Sequence, residues 1–66
     1  MDALNLYTAR VGNVGSFFVA AHDVTQARAI AVAWAAREPY AGQGHHITIR
    51  RFSDSRPVYI PDARVI

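Results

Sequence analysis

The sequence predicts a small α+β domain of order ββαββ, with one helix packed on a small antiparallel sheet. Three observations carry this. A run of alternating polarity and an apolar run flank a glycine-bounded loop near the N-terminus. One alanine-rich stretch opens on a capping-box pair. A further alternating run, rich in isoleucine, threonine and arginine, follows between two turn clusters. The length of 66 residues allows a single domain, 1–66, with one small core. A hydrophobic share of 52% is enough for a globular fold and too high for a disordered chain.

Leu4 to Val11 reads as the first strand, with Tyr7, Ala9 and Val11 alternating with Thr8 and Arg10. Gly12-Asn13-Val14-Gly15 is a loop whose glycines suit positive φ, and Ser16 to Ala21 is a second strand, so the two form a hairpin. Asp23 stands where an N-cap belongs and Gln26 follows three residues later. At that spacing the carboxylate accepts from the N3 amide while the glutamine side chain reaches back. The helix is expected to run to about Arg37, stopped by Glu38-Pro39 because the residue before proline is pushed out of the α region. Tyr40 to Gly44 is a loop. His45 to Phe52 is the third strand, with Ile47 and Ile49 on one face and His46, Thr48 and Arg50 on the other. Ser53 to Arg56 is a turn. Pro57 to Pro61 is a short fourth strand, placed at an edge by its two prolines, and Asp62 to Ile66 is a tail or fifth strand.

The helix has almost no polar side. At 100° per residue Val24, Ala27, Ile30, Ala31 and Trp34 gather on one stripe, which should face Ile47, Ile49 and the first two strands, with Trp34 as a core anchor. The far side carries Ala29, Val32, Ala33 and Ala36 where charge would be usual. A helix apolar nearly all round is normally covered on both faces. With one helix available, the second cover is expected from another chain, either a partner or a second copy in a homodimer.

Several chemistries find no support in the residues. There is no cysteine, so neither disulfides nor thiolate metal sites arise. His45 and His46 are adjacent, and neighbours on a strand point to opposite faces, so they do not chelate one ion in regular β geometry. Ser16, Ser53 and Ser55 lie at turns, no nucleophile-elbow or phosphate-loop pattern occurs, and the carboxylates are scattered. We therefore expect no catalytic, metal or cofactor site. The segment Met1 to Tyr7 has no positively charged leader and the longest apolar run, Ala29 to Ala36, is too short to span a bilayer. A cytoplasmic chain, complete from its own Met1 and without membrane contact, is expected.

All seven basic residues are arginine, and the formal net charge is +2. Arg10, Arg50, Arg51 and Arg56 come from segments that should lie close together in the sheet. With His46 they make a donor-rich face suited to a phosphate backbone or an acidic protein surface. Arg51 has the core-facing parity and must lie beyond the helix edge or snorkel. Exposed aromatic rings beside these arginines would strengthen the nucleic-acid reading, but the facing of Phe18 and Tyr59 is not fixed by sequence.

The segment Phe18-Val-Ala-Ala-His-Asp-Val-Thr-Gln-Ala-Arg-Ala-Ile-Ala31 runs a strand into Asp-x-x-Gln-Ala-Arg-x-Ile-Ala and then into one helix and a return hairpin. Over the middle half of the chain this resembles small phage-borne anti-CRISPR proteins that inhibit type I surveillance complexes. The resemblance implies a non-enzymatic inhibitor that binds a subunit of a host CRISPR effector complex through polar and basic side chains. It supplies no fixed motif, so no residue role is carried from it. The sequence thus predicts a phage or mobile-element protein that binds and inhibits a host protein complex, with a nucleic-acid-binding module and a structural homo-oligomer as the alternatives. The expected contact residues are Arg10, His46, Arg50, Arg51 and Arg56 on the sheet and Ala29, Val32, Ala33 and Ala36 on the helix.

Overall fold

A computed structural model describes residues 3–12, 15–37, 46–52 and 57–66. The elements are β1 (Asn5–Val11), β2 (Gly15–Ala21), α1 (Val24–Ala35), β3 (Ile47–Arg51) and β4 (Arg64–Val65). The strands form one sheet of order β3-β1-β2-β4 in which every neighbouring pair is antiparallel. The helix packs on one side of it, so the predicted α+β class and the ββαββ order hold. None of the described helices is long and apolar enough to cross a membrane.

The β1–β2 hairpin forms as the short glycine loop predicts, with Val11 opposite Gly15 and Gly12 at φ 47°, a value only glycine adopts freely. The helix starts on the predicted device. The Asp23 carboxylate accepts from the Gln26 backbone amide at 2.7 Å, and the Gln26 side-chain Oε1 accepts from the His22 backbone amide at 2.7 Å. The reach back goes one residue further than in the usual capping box, to the residue before the N-cap. The helix ends at Ala35, short of the expected Arg37. The stop signal Glu38-Pro39, the loop 40–44, His45 and the turn 53–56 lie outside the described residues.

The core is built from small side chains. Ala27, Ala31 and Ala35 are the buried residues of α1, four apart and so stacked in one row along its inner side. They lie over Tyr7, Ala9, Val19 and Ala21, and Val11 and Val19 are the largest fully buried side chains. Ile30, Phe17, Ile47, Ile49, Ala63 and Val65 close the margins. The bulky helix residues sit beside this row. Trp34 is half-buried and meets Phe17 of β2 with ring centroids 4.4 Å apart. On the opposite flank the Arg28 guanidinium donates to the Ile47 carbonyl of the edge strand β3 at 3.1 Å. This blunts an exposed strand edge.

Three expectations are corrected. Val24, placed on the core stripe by the helical projection, is 52% exposed. It is the first helical residue, three past the end of β2, and the sheet does not cover it. Trp34 is a flanking residue and not a central anchor, because the alanine row takes the middle of the contact. The predicted fourth strand, Pro57 to Pro61, supplies a single bridge, Val58 to Leu4, made by two backbone bonds of 2.8 Å. Both prolines lack an N–H, so this segment cannot extend a ladder. The fourth strand of the sheet comes instead from the tail, where Arg64 and Val65 pair with Ala20 and Val19.

Two tests follow from this packing. Ala31→Leu overfills the alanine row and should cost about 1–3 kcal/mol, lowering the melting temperature by roughly 4–8 °C per kcal/mol. Ala33→Leu, on the exposed side, should stay within about 0.5 kcal/mol of wild type. Thermal melts followed by circular dichroism compare the two. Asp23→Ala should remove about 1 kcal/mol in chemical denaturation, and Asp23→Asn should keep most of it, since asparagine caps nearly as well.

Candidate functional site

Because α1 covers one side of the sheet, the other side is left to the alternate residues of each strand. On β1 these are Leu6, Thr8 and Arg10; on β2, Ser16, Phe18 and Ala20; on β3, Thr48 and Arg50; on β4, Arg64. The register sets them in rows. Arg10 lies between Ser16 and Thr48, and Thr8 between Phe18 and Arg50. Leu6 has Ala20 on one side, and on the other its carbonyl accepts from the Phe52 amide at 2.9 Å. Arg64 stands beside Ala20.

This open face is not uniform. Its lower end is closed, with Leu4 2% and Ala20 0% exposed. Above that, Phe18 and Phe52 are each 44% exposed, and their rings meet edge to face at a centroid distance of 5.9 Å and an interplanar angle of 80°. Their strands flank β1, so the two backbones stand roughly 9–10 Å apart. The rings therefore lean toward each other across β1, and Leu6 and Thr8 on the same face are only half exposed. Over the upper part lies an open concavity of about 890 Å³. Among the described residues lining it are Arg10, Arg50, Arg51 and His46, together with Thr8, Ser16, Thr48 and Phe52, and none is acidic.

Each arginine is held differently. Arg10 donates through Nε to the Gly12 carbonyl at 3.3 Å, at the hairpin end, and its terminal nitrogens have no hydrogen bond to another described residue. Neither the Arg50 nor the Arg64 side chain has a hydrogen bond or ion pair with another described residue. Arg51 has the helix-side parity, as the alternation implied, and escapes the core by lying at the edge, where it donates to the Asn5 side-chain oxygen at 3.1 Å. Asn5 in turn donates to the His22 carbonyl at 3.2 Å.

The structure thus brings Arg10, His46 and Arg50 together on the open face, with Arg51 at its rim. Arg56 lies outside the described residues. Ala29, Val32, Ala33 and Ala36 are all exposed on the outer side of α1, on the opposite side of the domain. They form a separate surface from the arginines. Phe52 and Arg64 were not among the expected site residues. Phe52 shares the even parity of His46, Thr48 and Arg50, so alternation alone could have placed it. Arg64 could not be placed, because a segment read as a tail or fifth strand, with a strand of only two residues, is too short for alternation to fix a face.

The aromatic contact gives a test independent of any ligand. A double-mutant cycle with Phe18→Leu and Phe52→Leu should return a coupling of about 0.5–1.5 kcal/mol, the usual range for an edge-to-face pair. Arg50→Ala should shift stability by no more than about 0.5 kcal/mol. Urea unfolding of the four proteins of the cycle, and of Arg50→Ala, measures both. Compared with known proteins, the chain matches no family model, no curated protein and no solved structure.

Proposed function

We propose that this is a binding domain whose working surface is the open sheet face, and that its partner is an anionic macromolecule. One observation carries the reading: Arg10 and Arg50 stand in adjacent rows of a concavity that has no acidic residue among its described lining. Guanidinium groups with free terminal nitrogens offer paired hydrogen bonds to phosphate or carboxylate oxygens. Their position on strands of a packed sheet keeps the spacing fixed before the partner arrives, which lowers the ordering cost of binding.

The test separates a local face from overall charge. Arg50→Glu and the double variant Ala29→Glu/Ala33→Glu both bring the formal net charge from +2 to zero. The first alters the sheet face and the second the outer side of α1. Retention on immobilised heparin should fall sharply for Arg50→Glu and change little for the helix variant. Equal losses would mean that only net charge matters and would overturn the reading.

A second reading concerns the outer side of α1. Val32 is 51% exposed, with Ala29, Ala33 and Ala36 exposed beside it. This surface fits a protein contact, either a second copy or a subunit of a host complex such as the CRISPR effector implied by the resemblance. Ala33→Glu buries an unpaired charge in such a contact and weakens it strongly. Sedimentation and capture of effector subunits with wild type and variant decide it, and unchanged results in both would remove this reading.

A further inference from the structure

We infer that the anionic partner of the open face is an unpaired nucleic-acid strand, whose bases stack on Phe18 and Phe52 while Arg10, Arg50 and Arg64 hold its phosphates. The inference rests on the anionic-partner reading above and adds the class of partner. It starts from a misplacement of bulk. The core beneath the helix is built on a row of alanines, and among the described residues Tyr7 is its one buried aromatic ring. Two phenylalanines are meanwhile left half in water on the other side of the same sheet. Burying either ring would have contributed more than any alanine in the core. The rings instead form one edge-to-face pair, an aromatic platform whose two ring planes are turned 80° from each other, at the centre of the face.

Charge surrounds that platform. Arg50 precedes Phe52 by two residues on the same face of its strand line, and Arg10 lies in the row above. Arg64 sits on the far side, in the strand beyond Phe18. Thr8, Thr48 and Ser16 add hydroxyl groups between these positions.

An aromatic centre with a cationic surround matches an unpaired strand better than the other polyanions. In a duplex the bases are stacked on one another and a protein ring cannot reach their faces, so phosphate contact alone would leave both phenylalanines unused. An acidic peptide would pair with the arginines but has no flat π face for the rings. A single strand presents both chemistries at once, and base–aromatic stacking tolerates any sequence because every base has a π face.

The test uses the intact chain and fluorescence anisotropy with labelled twelve-nucleotide strands. The probes are a thymidine DNA strand, a uridine RNA strand, the corresponding DNA duplex, an abasic strand with the same phosphates, and polyglutamate. Both single strands should bind at least about tenfold more tightly than the abasic strand and the duplex. With three phosphates held, the logarithm of affinity should fall against the logarithm of salt with a slope of about −2. Phe18→Leu and Phe52→Leu, checked by thermal melt, should each lower single-strand affinity by roughly 5- to 100-fold, and Phe52→Trp should retain it. Heparin retention of the leucine variants should be unchanged.

Equal binding of the abasic and base-bearing strands overturns the inference on the wild-type protein alone, whether or not a variant folds. So does tighter binding of the duplex or of polyglutamate. In each of these cases the anionic-partner reading stands if Arg50→Glu still abolishes heparin retention. If wild type is not retained on heparin and binds no strand, both fail.

Discussion

The close seating of α1 on the sheet is the contact on which everything else in this domain depends. Its helix side is a row of methyl groups, Ala27, Ala31 and Ala35, and the first two pack in one cluster with Tyr7, Ala9, Val19 and Ala21. Such a contact draws its stability from close approach over a continuous dry area, because each alanine contributes little burial alone. It also tolerates little change, since a protein interior packs as densely as an organic crystal. The requirement for small residues in the middle explains where the large ones went. Trp34 and Ile30 stand at one margin of the helix, Trp34 against Phe17 of β2, and Arg28 reaches from the other margin to the edge carbonyl of Ile47.

One helix can cover only one side of a sheet. The domain therefore has two uncovered surfaces on opposite sides, and they differ in chemistry. The outer side of α1 is apolar and without charge at Ala29, Val32, Ala33 and Ala36. The open side of the sheet combines cations, hydroxyl groups and two aromatic rings. No flat partner can reach both at once. The rigidity of the sheet matters for the second surface in particular, because the register, and not a flexible loop, sets the spacing of Arg10, Thr48, Arg50 and Phe18.

Much of this arrangement follows from local rules. The hairpin, the cap at Asp23 and the facing of Arg10, His46 and Arg50 were readable because each is a matter of a few neighbouring residues. The facing of Arg51 was readable for the same reason, and its edge position with a bond to Asn5 is the way out that its parity demanded. Projection onto a helical wheel failed for Val24 because a wheel has no length. It assigns an angle to the first helical residue without asking whether the sheet extends beneath it. The Pro57–Pro61 segment was misread because alternation there is real, yet a strand also needs donors, and the prolines remove them.

The sequence by itself determined the class of the fold, the place and start of the helix, and the alternation of faces along the first and third strands. These depend on the period of the backbone, two residues in a strand and 3.6 in a helix, and on caps formed within one turn. Only the tertiary structure decided that β3 and β2 both flank β1, that the tail supplies β4, and that Phe18 and Phe52 meet over the middle strand. Strand order and register depend on which closure buries the most apolar surface across the whole chain. No short stretch holds that information, so two rings far apart in the sequence become neighbours only when the sheet is complete.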